Sequence, residues 1–196
     1  MERYGDEDFI QFLRQSQEAA RNRDIKKGSV WADGRNIVFS EREILKKQFW
    51  IWMPDDFVRM SQEMARLKYP NESRPEIIYT SEDSTLNITF SKKIQSLEPG
   101  QEEQVRDDIK LLIQRLYPSG SIIESLTVQA DDNRLAWFDF ISPAIDMDVY
   151  NLMFFTSLKG KLLMGSCNCL SGEQDMWKDL FLQMLASVRV EGQAAS

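Results

Sequence analysis

The sequence predicts an α+β fold: an antiparallel β-sheet of about six or more strands flanked by helices as an α/β/α sandwich, preceded by a helix and a hairpin. Three observations predict it. Period-two apolar alternation dominates residues 48–170. Short polar or glycine-containing stretches join these segments, as in hairpins, instead of the long crossovers that parallel strands need. Two segments with helical apolar spacing bracket the last four strands. The expected organisation is an extension over residues 1–40, a main domain over 41–190 and a tail over 191–196.

Residues 6–24 put Phe9, Phe12, Leu13 and Ala20 near one helical face. GSVWADGRNIVF follows as a hairpin turning at Asp33-Gly34. Ser40 and Glu43 have capping-box spacing, which suggests a short helical turn. In QFWIWMP, Phe49, Ile51 and Met53 point one way and Trp50 and Trp52 the other, so both faces of this strand are expected to be covered. Phe57, Met60, Met64 and Leu67 then fall on one face of a helix. After the proline-bounded loop KYPNESRP, EIIYTS and TLNITFS form a hairpin around Glu82-Asp83-Ser84. The next helix begins near Pro99, carries Glu102 and Glu103 at its positive end, buries Val105, Ile109, Leu112, Ile113 and Leu116, and stops at Pro118. Strands are expected over roughly 121–130, 134–142, 148–158 and 161–170. A final helix from about Glu173 to Ser187 buries Met176, Trp177, Leu180, Phe181 and Met184, with Val188 just beyond.

The 196 residues carry a net charge of −7 and no histidine. The acidic balance argues against a nucleic-acid partner, which needs clustered Lys and Arg. Absence of histidine removes Ser-His-Asp and Cys-His nucleophile activation and most catalytic zinc sites. No stretch approaches a membrane span. MERYGDEDFIQFLRQ has no apolar signal core, so a cytoplasmic location is expected; a chain with its signal removed would read the same.

The order of elements from about residue 44 resembles the Mog1/PsbP-like fold. FWIWMPDDF resembles its opening strand with the following proline and aromatic. IIYTSEDSTLNITFS resembles its hairpin, VRDDIKLLIQRL its crossover helix, and DMWKDLFLQMLASVRV its closing helix. Members of this fold are known mainly as binding proteins; one branch binds a small nuclear GTPase and another assists a photosynthetic complex. The resemblance implies a non-catalytic protein-binding or accessory module. It carries no functional residue onto this chain, and residues 1–40 have no counterpart in it.

Cys167 and Cys169 are the only cysteines. In a strand they face one side roughly 6–7 Å apart, too far for a relaxed disulfide, and no His or third Cys completes a metal site. Core packing is the expected role. The acidic pairs Asp55-Asp56, Glu82-Asp83, Asp107-Asp108 and Asp131-Asp132 suit caps, turns and solvated faces. Asp146 and Asp148 are the best candidates for a hard cation but fall short of a full oxygen shell. Asp139, among large apolar residues in LAWFDFIS, needs a partner if it points inward, and Arg134 lies too near in sequence to be assigned that role. Tyr69, Arg74 and Tyr79 mix aromatic and guanidinium groups around two prolines, a composition that favours interfaces. The leading expectation is therefore a protein partner, with the sheet face or the loop region of Tyr69, Arg74 and Tyr79 as the candidate contact surface, and no cofactor and no metal. A small-ligand carrier with a pocket between sheet and helix and a carboxylate-dependent hydrolase are the alternatives.

Overall fold

The computed structural model describes residues 23–191 except 73, 131, 132 and 145. The helix expected over 6–24 lies almost wholly outside the described residues, and so does the tail beyond 191. The described residues fold as α+β, with a seven-stranded antiparallel sheet at the centre and three helices and two smaller sheets around it.

The hairpin β1 (Val30–Ala32) and β2 (Arg35–Ile37) turns through Asp33 and Gly34, both at positive φ, the backbone that a two-residue turn requires. Next come β3 (Phe39–Glu43) and β4 (Phe49–Pro54), which pair with each other and, through β4, with the last strand, β12 (Arg189–Val190), as a three-stranded sheet. The central sheet takes β5 (Val58–Arg59), β6 (Ile77–Thr80), β7 (Asn87–Ser96), β8 (Ser121–Ala130), β9 (Asn133–Ser142), β10 (Val149–Leu158) and β11 (Lys161–Leu170). Their spatial order is β5-β6-β7-β11-β10-β9-β8. The helices are α1 (Gln62–Lys68), α2 (Glu102–Leu116) and α3 (Gln174–Ala186), the last entered through a 3-10 turn at Ser171–Glu173.

Register decides what each face of the central sheet carries. One row of cross-strand partners runs Ile77, Phe90, Gly165, Phe154, Trp137, Leu126. It lies on the first face, which packs against α3, the three-stranded sheet and the first hairpin in one core. Phe90 meets Phe154 edge-on at 6.0 Å and Phe49 of β4 at 5.7 Å. Gly165 makes this possible. A Cβ there would lie 2.3 Å from the Phe154 ring and 2.4 Å from the Thr89 carbonyl oxygen. On the second face, α2 covers Phe138, Phe140 and Phe155 through Val105, Ile109 and Ile113. At the opposite edge of that face, α1 rests Ala65 on Ile78 and Met60. Between them runs a polar seam in which the Asn87 amide donates to Asn168 (3.0 Å) and the hydroxyls of Thr89 and Ser166 share a bond of 2.8 Å.

Four local expectations are corrected. Residues around Ser40–Glu43 are strand β3, because they pair with β4 from Phe39–Pro54 to Glu43–Trp50. Among the described residues no layer covers the outer face of β4: Trp50 and Trp52 are half-buried, and Trp50 is capped by the Arg189 guanidinium 4.1 Å above its ring. The helix after Pro54 is only seven residues long, since the Ser61 hydroxyl caps it by accepting from the Met64 N–H; Phe57 and Met60 precede it, and Met64 and Leu67 are exposed. Leu112 and Leu116 lie on the open side of α2.

Adding one methyl at Gly165 should cost about 1–3 kcal/mol or more, because a ring and a backbone oxygen must both give way. A urea melt of Gly165→Ala checks this; an unchanged midpoint would mean that the Phe90–Phe154 row is loosely packed.

Candidate functional site

The closed first face accounts for several residues that the sequence singles out. Asp139 of β9 is fully buried. Its carboxylate pairs with Lys178 Nζ of α3 at 2.8 Å and accepts from the Tyr150 hydroxyl (2.8 Å) and the Glu124 backbone N–H (2.7 Å). Lys178 also reaches Glu124 at 2.8 Å and lies 5.7 Å from the Trp137 ring centre. Burial alone would lower the Lys178 pKa, but its hydrogen bonds to Asp139 and Glu124 outweigh that and raise it. Burial, then the bond to Asp139, drives the Tyr150 phenol far upward. These groups neutralise one another inside the core and close α3 onto the sheet. Cys167 and Cys169 project into the same core, buried and free. Burial raises both thiols, Cys169 to about 12, so neither supplies a thiolate at neutral pH. Asp146 and Asp148 are exposed in the loop before β10. Among the described residues no group of three or more Cys, Asp or Glu is placed to hold a metal ion.

Tyr69 and Arg74 lie at the α1 edge of the second face. Tyr69 follows α1, its backbone N–H closing the helix on Ala65 and its ring packing against Met60, Ala65 and Ile78. Burial raises its phenol pKa, partly offset by a hydrogen bond with Asn168. Arg74 Nε donates to the carbonyls of Tyr69 and Asn71, both at 3.2 Å, which orients the guanidinium. Tyr79 is on the other side of the sheet, packed against the main core with the Arg42 guanidinium 5.9 Å from its ring centre. The structure thus brings Tyr69 and Arg74 together and separates Tyr79 from them.

Beside Tyr69, a groove of about 490 Å³ opens between α1 and the strand into which Arg74 leads. Arg59, Arg66 and Arg74 line it together with Gln62, Glu76 and the apolar Met60, Ala65, Pro75 and Ile78. None of these three arginines forms an ion pair among the described residues. Arg59 and Arg66 escape a reading of the sequence because they belong to different elements; the spacing of seven and eight residues from 59 to 66 to 74 is no recognised motif. Their one legible signal is the arginine recurrence within an acidic chain.

A second groove, of about 660 Å³, is lined by Asp33, Arg35, Asp56, Val58, Ser81, Glu82 and Asp83. Its acids have structural work. Asp56 is paired with Arg35. Asp83 accepts from the Ser81 hydroxyl (2.6 Å) and from the N–H and hydroxyl of Thr85, which lowers its pKa and shapes the β6–β7 turn.

No protein-family model and no curated protein sequence matches the chain. Solved structures share its fold. Cyanobacterial PsbP (CyanoP) from Synechocystis sp. PCC 6803 is 13% identical with a TM-score of 0.56, over 84% of this chain and 99% of that one. LpqN of Mycobacterium tuberculosis, described as involved in cell envelope biogenesis, is 12% identical with a TM-score of 0.50, over 87% and 98% of the two chains. At these identities the likeness concerns the fold alone, and the fold is Mog1/PsbP-like. No helix among the described residues is long and apolar enough to cross a membrane.

Two measurements probe the closed face. Lys178→Met should destabilise the domain by about 3–5 kcal/mol at neutral pH, because it leaves the Asp139 charge buried without a cation. The raised lysine pKa puts this contribution fully in place below the ordinary lysine value, to be lost only as pH climbs through the raised one. A loss under about 1 kcal/mol in a denaturant melt would contradict the role given to the pair. Thiol labelling near pH 8 should run about a hundredfold slower in the native protein than in denaturant; equal rates would place the cysteines at the surface.

Proposed function

We propose that this chain is a non-catalytic accessory module that docks a protein partner at the arginine-lined groove. One observation carries the reading: three arginines, none ion-paired among the described residues, converge on one groove in a chain of net charge −7. Like charges lining one concavity raise its potential, and a partner of opposite charge relieves it. Arginine beside apolar surface is the composition of interface anchors. The fold likeness is in keeping with a binding role without identifying what is bound.

Neither alternative draws comparable support. A ligand carrier wants an enclosed cavity, and this groove is only partly enclosed. A carboxylate-dependent hydrolase wants two carboxyl groups in contrasting environments across a cleft. In the acidic groove Asp56 is neutralised by Arg35 and Asp83 is tied into its turn, while Asp139 is sealed in the core.

Affinity capture from native lysate of the producing cell, compared between the wild type and Arg59→Glu/Arg66→Glu, tests the reading. The wild type should retain at least one protein that the double variant recovers about tenfold less well. Lys161→Glu, on the distant β10–β11 hairpin, should leave recovery unchanged. Equal recovery by the wild type and the groove variant would contradict docking at this site.

A further inference from the structure

We infer that the groove takes an acidic peptide segment in which carboxylates alternate with apolar side chains, an inference that rests on the docking role proposed above. Three features select this ligand. The first is the chemistry of the cations. A guanidinium presents a planar fork that matches a carboxylate with two parallel hydrogen bonds, and its charge does not titrate away. Arg74 is already oriented, since its two bonds to backbone carbonyls both use Nε and leave the terminal nitrogens for a ligand. Arg66 is exposed on α1 and forms no ion pair among the described residues.

The second feature is the wall. Met60 and Ile78, both buried, form apolar surface between the arginines, with Pro75 beside them. A bare oxyanion has nothing to bury there. The groove's 490 Å³ is on the scale of a drug-sized ligand, far more than one phosphate group fills. A short peptide with acidic side chains on the arginines and an apolar side chain between them uses both kinds of surface.

The third feature is the surroundings. Glu63 on α1 and Glu72 in the following loop are exposed outside the groove's lining, and Glu76 is the one carboxylate within it. A broad anionic surface, such as a membrane of acidic lipids, would meet these carboxylates as it approached the arginines. A narrow segment entering the groove meets three arginines against one carboxylate, Glu76. The positive potential is local, and it favours a ligand that is local too.

The test uses the full chain and a fluorescein-labelled octapeptide alternating glutamate and leucine, followed by anisotropy. The control peptide has glutamine in place of glutamate. The glutamate peptide should bind saturably and about tenfold more tightly than the control. Arg59→Gln/Arg66→Gln should weaken it about tenfold, and raising the salt from low to high should weaken it further. Arg66→Lys, which keeps the charge and loses the fork, should give an intermediate affinity. Thermal melts of the variants should match the wild type, because neither side chain is ion-paired among the described residues; Arg66→Lys serves as the readout if the double variant is unstable. Inorganic phosphate should fail to displace the peptide, and vesicles containing phosphatidylglycerol should fail to co-sediment with the protein.

If both peptides bind equally and both lose affinity with the arginine substitutions, acid recognition is overturned while docking at the groove stands. Binding that ignores the arginine substitutions, or no binding of either peptide, overturns the inference. Arginine-dependent co-sedimentation with the vesicles, or displacement of the peptide by phosphate, assigns the groove to a phosphate-bearing ligand and overturns it as well. Lysate capture that depends on the arginines while the glutamate peptide fails to bind separates the failure of this inference from that of the docking role.

Discussion

The missing side chain at Gly165 is the constraint on which the rest of the structure depends. It sits in β11, the middle strand of the seven, with Phe90 on one neighbouring strand and Phe154 on the other. The two rings meet over it because no Cβ stands between them. The same row anchors the small sheet through Phe49. Slipping β11 by one residue would put Met164 or Ser166 into this position and turn Cys167 and Cys169 toward the polar seam. The register that puts the thiols in the core thus also packs α3 and the small sheet onto the first face, so that face is filled.

With one face filled, the open ground lies on the other. There the sheet is apolar under α2, polar along the Asn87–Asn168 and Thr89–Ser166 seam, and apolar again under α1. The groove exists because α1 is short and held at both ends. Ser61 caps its start, and Lys68 reaches the Ser84 carbonyl and the Asn87 side chain near its finish, with Tyr69 hydrogen-bonded to Asn168 beyond. Strand β5 covers β6 only as far as Tyr79, with one further bond from Met60 to Ile78. The chain then leaves the sheet edge for α1, and the arginines gather where it departs.

Much of the fold was legible because the relevant signals were local. Strands β8 to β11 lie within about a residue of their expected bounds, since alternation and hairpin turn chemistry both act over a few residues. Gly160, at positive φ beside Lys159, marks one such turn. The segment from Phe57 to Leu67 misled because its helical spacing straddles two elements: Phe57 belongs to the main core, while Met64 and Leu67 face water. The candidate site was half legible. Tyr69 and Arg74 announced themselves by composition. Arg59 and Arg66 did not, because only the β5–β6 pairing and the fold of α1 bring them to Arg74. Lys178 was invisible as the partner of Asp139 for the same reason: the helix that carries it is separated from β9 by two whole strands.

The central claim is that this molecule works through the α1 edge of the second face while the first face serves the core. Hydrogen-exchange mass spectrometry of the full chain, free and saturated with a captured partner, tests that most directly. Protection should rise across residues 59–78, which hold β5, α1, the following loop and the start of β6, and stay unchanged in β9 and β11. Protection confined to α2 and β8, at the opposite edge of the sheet, would contradict the account.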